Sequence, residues 1–332
     1  MLPSRTRNVL LAAGGLLVLS KLAGFAASNA ASPIDYAAAG REAVRAREGL
    51  VHDPARDRDI PYTLYRPATL SGRHPIVVFS HGNGGTRQDG RYLAEHLASH
   101  GYVVVQVQHA GSDAAIWSGA TSKDAVIERM RAAAADRRIH DQRYRDIPAL
   151  FDELAVLDSK DPELASHLDL QAIGLSGHSW GALTTLVLIG ARDGLDAASY
   201  KDPRIKAALL LSPSLPRVAP NEMKEACKDI AVPVLHVTGT LDSSPVVVGL
   251  DYRKRLGPYG AIAAPDQHLI ILDGADHMML PGTDSPLRTI TAADQPNLRT
   301  IKAVSLAFWD TYLRNDREAH AWLLSQTQHH AQ

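Results

Sequence analysis

Ser179 lies between two glycines in the stretch GLSGHSWGA, which covers residues 174–182. The residues before it, HLDLQAIGLS, carry the apolar side chains of a short buried strand. The residues after it, GALTTLVLIG, are apolar nearly all round and predict a buried helix. A serine at such a sharp strand-to-helix turn has a strained backbone and an exposed hydroxyl, as a nucleophile requires. Gly177 and Gly181 fit this interpretation, because side chains there would collide within the tight turn.

A serine hydroxyl needs a base, and two further strand ends supply candidates. His277 follows the predicted strand HLIILDGA, and it can take a proton near neutral pH because the ordinary pKa of histidine is about 6.5. Asp242 follows the predicted strand VPVLHVTGT and would hold the imidazole tautomer while stabilising the imidazolium. The chain order Ser179, Asp242, His277 therefore predicts a catalytic triad.

Acyl transfer also needs backbone N–H groups that face the oxyanion of the tetrahedral intermediate. One donor would be Trp180, directly after the nucleophile. The other would come from the loop HGNGG at residues 81–85, in which Asn83 is the strongest candidate. Glycines on both sides of Asn83 would let this loop approach a substrate closely.

Each candidate residue also has a simpler explanation. Asp242 could be an ordinary turn residue, since aspartate is common after strands. His277 is one of 15 histidines and could lie at the surface. Asp273 and Asp276 are rival acids, although both precede the histidine on its own strand end. The joint placement of all candidates at strand ends, in a consistent chain order, favours the triad over separate accidents.

The elements that must position these residues alternate along the chain. Strands such as HPIVVFS, YVVVQV and IKAALLL are nearly continuous apolar runs, and helices with one apolar face lie between them. This alternation predicts an α/β fold with a mostly parallel central sheet and helices on both faces. The first strands, with no helix between them, would add an antiparallel edge. Ligands bind such sheets beyond the carboxyl ends of the strands, where the candidates lie.

Composition and charge narrow the classes of function. The chain has 332 residues, of which 45% are hydrophobic and 21% charged, as expected of one large globular domain. The formal net charge is -1, so no nucleic-acid partner is expected. Cys227 is the only cysteine, which excludes an internal disulfide and any site with several cysteine ligands. With no HExxH pattern or Cys/His cluster, the sequence predicts no metal and no cofactor.

Residues 1–30 have the layout of a secretory signal peptide. Two arginines precede an apolar run from Val9 to Leu19, and small residues follow it. Ser28-Asn29-Ala30 offers a small-x-small cleavage site, so we expect residues 31–332 to form a single secreted or periplasmic domain without a membrane span. A retained membrane anchor is the alternative, but Lys21 leaves the apolar run short of the ~20 residues that a spanning helix needs.

A section at residues 111–145 carries both signs of charge on a predicted helix. One interpretation is a solvated helix beside the sheet, since such alternation is typical of exposure. The other is a lid segment over the site, in which case Trp117, Met130 or Trp180 would line a substrate pocket. The sequence leaves both interpretations open.

The same stretches resemble the α/β-hydrolase superfamily, and within it the esterases similar to dienelactone hydrolase and to platelet-activating factor acetylhydrolase. The similarity lies in FSHGNGG with LASHGYVV, in GHSWG, in TGTLDSSP and in GADHMM. It implies an α/β-hydrolase fold and an ester hydrolase with Ser179, Asp242 and His277 as triad and Asn83 and Trp180 as oxyanion donors. Dienelactone hydrolases proper use a cysteine nucleophile, so the serine favours ordinary carboxylic esters.

The expected function is a secreted serine hydrolase that cleaves small-molecule or lipid carboxylic esters through an acyl-enzyme. A phospholipase of the acetylhydrolase type, with the same triad and a different pocket, is one alternative. A non-catalytic binding protein on a hydrolase scaffold is another, although such proteins typically lose a triad member. The acyl length, the alcohol and the oligomeric state stay open.

Overall fold

A nine-stranded sheet forms the centre of the computed structural model, which describes residues 34–329. In chain order its strands are β1 (Val44–Asp53), β2 (Arg58–Pro67), β3 (His74–Ser80), β4 (Val103–Val107), β5 (Leu168–His178), β6 (Ile205–Leu211), β7 (Val234–Leu241), β8 (Gln267–Asp276) and β9 (Gln328–His329). Across the sheet they are ordered β1-β2-β4-β3-β5-β6-β7-β8-β9.

The strands from β3 to β8 all pair in parallel. At one edge β1 pairs antiparallel with β2, and β2 pairs antiparallel with β4. At the other edge the short β9 lies antiparallel to β8. The predicted parallel sheet with an antiparallel edge is therefore confirmed. Its parallel strands end at one common edge, where residues from different parts of the chain can meet.

Helices cover both faces of the sheet. They are α1 (Arg91–Ser99), α2 (Lys123–Ala135), α3 (Arg137–Lys160), α4 (Trp180–Ile189), α5 (Met223–Cys227), α6 (Tyr252–Arg255), α7 (Gly257–Ala261), α8 (Gln295–Arg314) and α9 (Arg317–Gln326). Two apolar clusters separate the faces: Ile76 and Val78 of β3 pack towards α3 and α4, whereas Val77 and Phe79 pack towards α1 and α8. This alternation follows from the two-residue period of a strand.

Two elements differ from the sequence prediction. The residues before Gly49 suggest a short helix, yet β1 begins at Val44 and pairs with β2 over its whole length. Long-range pairing therefore outweighs the helix propensity of its Ala, Arg and Glu residues. The apolar face formed by Ile147, Leu150 and Phe151 predicts a helix that begins near Asp146, but α3 begins at Arg137 and continues through Pro148. Buried side chains on both sides of the proline, including Arg143 and Phe151, hold the helix together there.

The predicted signal peptide, residues 1–30, lies outside the described residues. From Asp35 onwards the chain forms one compact unit. In the part of the chain that the structure describes, no helix is both long and apolar enough to cross a membrane.

Candidate active site

Ser179, His277 and Asp242 are joined by a continuous chain of hydrogen bonds. The Ser179 hydroxyl lies 3.0 Å from His277 Nε2, and His277 Nδ1 lies 2.8 Å from Asp242 Oδ1. The three residues directly follow β5, β8 and β7, whose carboxyl ends share one edge of the sheet. The structure therefore brings together the three residues that the sequence selects.

The backbone of Ser179 has the strained geometry expected of an elbow. Its φ is 55° and its ψ is −111°, outside the regions that L-residues ordinarily occupy. Its N–H donates to the Leu211 carbonyl at 2.9 Å, which fixes the turn against β6. A Cβ at Gly177 would overlap the backbone of Gly181, and one at Gly181 would overlap the Ser80 carbonyl. Both glycines are therefore required for β5 to turn directly into α4.

The Asp242 carboxylate is fully buried and has a full set of donors. Its Oδ2 accepts from the Thr238 hydroxyl at 2.8 Å, and its Oδ1 accepts from the Ser212 hydroxyl at 3.0 Å. Arg255 Nε also lies 2.8 Å from Oδ1. Burial raises the pKa of this carboxyl, but hydrogen bonding and charge from His277 and Arg255 outweigh burial, so the pKa falls well below its usual range. Asp242 is thus an anion facing the imidazole.

The two rival acids point elsewhere. Asp276 is paired with Arg288 Nε at 2.6 Å and accepts the Met278 and Met279 N–H groups at 2.9 and 3.0 Å. Asp273 accepts from the Thr240 hydroxyl at 3.2 Å on an exposed edge of the sheet. Among the contacts that the described residues make, neither carboxylate bonds to the His277 imidazole.

Two buried side chains beside the triad did not emerge from the sequence. Ser212 directly follows β6 and lies 2.8 Å from His277 Nδ1, with a φ of 60°. Like the triad residues, Ser212 directly follows an apolar strand. The stretch LLLSPS therefore carried the same sequence signal, and Ser212 could have been selected as a candidate site residue. Arg255 lies 3.0 Å from the same nitrogen through Nη2. It belongs to a basic run on α6 in which no sequence feature separates the buried arginine from exposed neighbours.

The imidazole of His277 is kept neutral by its surroundings. Burial and the Arg255 cation lower its pKa below 6.5, against the opposing influence of Asp242. The neighbouring His178 donates through Nε2 to the His277 carbonyl at 2.9 Å. Burial and His277 hold the pKa of His178 well below 6.5, so it packs as a neutral ring and is not a second base.

The predicted oxyanion donors Asn83 and Trp180 both line the cavity beside Ser179. In the same loop, the Gly84 and Gly85 N–H groups are engaged by the Ser112 and Gly82 carbonyls at 2.8 and 3.2 Å. Within residues 34–329, the backbone N–H groups of Asn83 and Trp180 have no such acceptor. They remain available to a bound carbonyl oxygen.

One buried arginine links the two sides of this candidate oxyanion site. Arg143 of α3 donates to the His81 carbonyl at 2.6 Å and to the Ser112 hydroxyl at 2.7 Å, which supports the glycine-rich loop. It also donates to the Thr184 hydroxyl at 3.1 Å on α4, the helix that begins with Trp180. The Asn83 side chain adds a hydrogen bond to the Met130 carbonyl at 2.7 Å. The loop is therefore held from several sides.

A second Ser-His-Asp arrangement lies beneath the loop. The Ser80 hydroxyl is 2.9 Å from His109 Nε2, and His109 Nδ1 is 2.9 Å from Asp146 Oδ2. All three residues have no exposed surface, and Arg143 also donates to the Ser80 hydroxyl at 3.0 Å. No substrate can reach this serine, so the arrangement supports the structure and does no chemistry.

The cavity beside Ser179 has a volume of about 300 Å³. Trp117, Met130 and Trp180 all form part of its wall, together with the polar side chains of His140 and Arg217. Segment 111–145 thus contributes to the cavity wall as well as to the support of the oxyanion loop. Its movement as a lid stays a prediction. In the described part of the chain, no group of three or more His, Cys, Asp or Glu residues could hold a metal ion.

 Part of the chain matches the model of a known protein family. The match spans residues 58–143 and is to the family described as platelet-activating factor acetylhydrolase, isoform II. It covers β2 to β4, the glycine-rich loop and the chain as far as Arg143, and it ends before Ser179.

Three curated proteins show similarity over longer stretches. A cutinase of Thermobifida alba, est2, is 24% identical over 216 residues, which is 65% of this chain and 56% of the cutinase. A second cutinase of that organism, est1, is 24% identical over 54% of this chain and 46% of its own length. The platelet-activating factor acetylhydrolase of Cavia porcellus is 22% identical over 46% of this chain and 38% of its own length. The chain thus matches about half the length of these relatives.

The fold and these similarities agree. The parallel sheet, the strained serine between β5 and α4, and the order of Ser179, Asp242 and His277 along the chain are the features of one superfamily. The family match covers the glycine-rich loop that faces this serine. The chain therefore has an α/β-hydrolase fold, and part of it is similar to the platelet-activating factor acetylhydrolases.

Proposed function

We propose that this protein is a serine hydrolase that cleaves carboxylic esters through an acyl-enzyme intermediate. The observation that carries the proposal is the hydrogen-bonded chain from Ser179 through His277 to Asp242, which opens into the cavity. The similarity to proteins named cutinase and acetylhydrolase supports ester cleavage as the class of reaction.

In the acylation step, Ser179 Oγ attacks the ester carbonyl while His277 Nε2 takes the hydroxyl proton. Asp242 keeps the imidazole in the tautomer with a proton on Nδ1 and stabilises the imidazolium that forms. The N–H groups of Asn83 and Trp180 would donate to the oxyanion, in positions fixed before the substrate arrives. The imidazolium then gives its proton to the leaving oxygen, the C–O bond breaks, and the alcohol departs.

In the deacylation step, a water molecule replaces the alcohol. His277 takes a proton from this water, which attacks the acyl carbonyl and forms a second tetrahedral intermediate at the same oxyanion donors. The intermediate collapses, the imidazolium returns its proton to Ser179 Oγ, and the carboxylic acid leaves. The serine, the neutral imidazole and the Asp242 anion are then restored.

The cavity favours esters with short acyl chains. Its volume of about 300 Å³ lies at the small end of the range for ligand pockets. A lipid ester with a short acyl group is the second candidate substrate, because the family match is to the acetylhydrolases. Comparing p-nitrophenyl esters of graded chain length with a phospholipid that carries a 2-acetyl group would separate the two.

A fluorophosphonate probe tests the proposed nucleophile directly. We expect it to label Ser179 in the wild-type protein and to leave Ser179→Ala unlabelled. Ser214→Ala is a matched control, because Ser214 also lines the cavity but is not part of the hydrogen-bonded chain. Labelling at another serine would overturn the assignment. A protein that is neither labelled nor active on any ester would instead be a binding protein on a hydrolase scaffold.

A further inference from the structure

Arg255 is a buried cation in direct contact with both Asp242 and His277, the acid and the base of the triad. It is the last residue of α6 and is 2% exposed. Its Nε lies 2.8 Å from Asp242 Oδ1, and its Nη2 lies 3.0 Å from His277 Nδ1. Its Nη1 donates to the Ser212 carbonyl at 3.0 Å. The proton transfers described above do not use this side chain, so its position needs a separate explanation.

The contact with Asp242 fixes the acid in place. Three donors converge on Oδ1, from His277, Ser212 and Arg255, while Thr238 holds Oδ2. A buried carboxylate with such a set of donors has little freedom to rotate. The guanidinium is held in turn by the Ser212 carbonyl, which lies beyond the end of β6. Arg255 therefore ties α6 to the ends of β6 and β7.

The contact with His277 acts on the base itself. A fixed positive charge beside an imidazole disfavours the imidazolium, whereas a carboxylate favours it. The charged or titratable groups that act on His277 are Arg255 from α6, Asp242 after β7, His178 at the end of β5 and, through its charge alone, Asp276 at the end of β8. Asp251, directly before α6, adds an attractive charge interaction with the guanidinium. Arg255 is the cation of this set, since burial keeps His178 neutral.

We propose that Arg255 is a positioning residue of the triad, which locks the Asp242 carboxylate and places a fixed positive charge against His277 that disfavours its imidazolium form. This inference rests on the proposed function for its catalytic meaning. A residue with a purely structural role would lower stability or kcat when replaced. It would leave unchanged the pH at which the base becomes active, so the pH profile separates the two roles.

The test compares kcat/KM for a p-nitrophenyl ester from about pH 4 to pH 9 in four proteins. They are the wild type, Arg255→Gln, Arg255→Lys and Arg253→Gln. Arg253→Gln is the matched control, because it removes the same charge from the same helix at an exposed position. Circular dichroism checks that each variant is folded.

We expect the acid limb of the wild type to have its midpoint below 6.5, the ordinary value for histidine. In Arg255→Gln the midpoint should rise by about one pH unit, because the opposing charge is gone. In Arg255→Lys and Arg253→Gln it should stay within a few tenths of a unit of the wild type. A folded Arg255→Gln with an unmoved midpoint would overturn the inference. If Arg255→Gln does not fold, either of two results would overturn the inference. One is a wild-type midpoint above 6.5, and the other is a midpoint in Arg255→Lys that has risen to about 6.5, the ordinary value for histidine.

Titration of His277 by NMR gives a readout that does not need activity. The resonance is assigned by its loss in His277→Gln, and its midpoint is measured in the wild type and in Arg255→Gln. The same upward shift is expected. A protein with no esterase activity but with this shift would refute the proposed function and leave the effect of Arg255 on His277 intact. An active protein without the shift would refute the inference alone.

Discussion

Arg288 Nε lies 2.6 Å from Asp276 Oδ2, and this ion pair turns the carboxylate next to His277 in sequence away from the imidazole. Arg288 also binds Asp294 through Nη1 at 2.8 Å, so it joins the end of β8 to the start of α8. Asp276 therefore acts as a structural residue of the histidine loop. Asp242, on the neighbouring strand, is left as the partner of the base.

Replacing the two carboxylates separately tests this division of roles. Asp242→Asn should lower kcat by about 10⁴-fold, because the amide favours the wrong imidazole tautomer. Asp276→Asn should lower kcat by about tenfold or less, since it changes only the local field and the loop contacts. Steady-state kinetics on one ester, with folding checked by circular dichroism, would decide. Reversed penalties would mean that Asp276 is the triad acid.

The two Ser-His-Asp arrangements predict opposite effects of two otherwise similar substitutions. Ser179→Ala should stay folded and lose about 10⁴- to 10⁶-fold in kcat, the scale for removal of a nucleophile. Ser80→Ala should keep fluorophosphonate labelling and lose about tenfold or less in kcat, because Ser80 is fully buried beneath the loop. Mass spectrometry of labelled peptides gives the readout. A label on Ser80 would contradict the structural role of the buried set.

The strand-end residues could be predicted from the sequence, whereas the arginines could not. Parallel strands end at one edge, so a polar residue after an apolar run is a local signal for Ser179, Asp242 and His277. Arg143 and Arg255 lie on helices among other basic residues, and only the tertiary packing decides which arginine is buried. The short helix suggested by the residues before Gly49 was wrong for a related reason. These residues form the first part of β1, and the pairing of β1 with β2 that decides this is a long-range contact.

Thermal stability should fall as the pH drops from about 6.5 towards 4, because several histidines are buried in neutral form. Burial lowers the pKa of His96 and of His109 to about 4 in the folded protein. At these two histidines the unfolded chain therefore binds more protons in this window, so the stability that they contribute is complete above 6.5 and is lost as the pH falls through 4. Calorimetric Tm values across this range provide the check. A Tm that did not change would contradict the prediction.

His109→Gln offers a more specific form of the same experiment. The variant should have a lower Tm than the wild type at neutral pH, because it weakens the contacts with Ser80 and Asp146. Its Tm should depend less steeply on pH, since one titrating group is gone. The exposed His52 is the control, because the hydrogen bond to Asp59 raises its pKa and its ring is therefore protonated in both the folded and the unfolded chain over most of this range. His52→Gln should leave the slope of Tm between pH 6.5 and 4 close to that of the wild type.

The N-terminal segment gives a prediction outside the described residues. Export with cleavage after Ala30 should leave a mature chain that begins near Ala31. Intact-mass measurement of protein recovered from the medium or periplasm would identify the first residue. A product that stays with the membrane fraction and retains Met1 would favour the anchor. Replacing Ala30 with a bulky residue should slow processing if the small-x-small site is used.

The cavity wall predicts how the preference for acyl chains can be changed. Trp117 belongs to segment 111–145 and is one of the residues that line the cavity of about 300 Å³. Trp117→Ala should lengthen the preferred acyl chain by lowering KM for the longer p-nitrophenyl esters, because the removed ring leaves room for additional methylene groups. The value of kcat for the acetyl ester should change little, since Trp117 makes no hydrogen bond to Ser179, His277 or the oxyanion loop among the described contacts.

Trp322→Ala is the matched control for this experiment, because the Trp322 ring packs against the Tyr36 ring with 4.7 Å between their centroids and does not line the cavity. It removes an indole of the same size and should leave the chain-length profile unchanged. If both variants shift the profile equally, the effect comes from general loosening of the fold. If neither shifts it, the acyl chain does not occupy the part of the cavity beside Trp117. A shift in Trp117→Ala alone would place the acyl chain against segment 111–145.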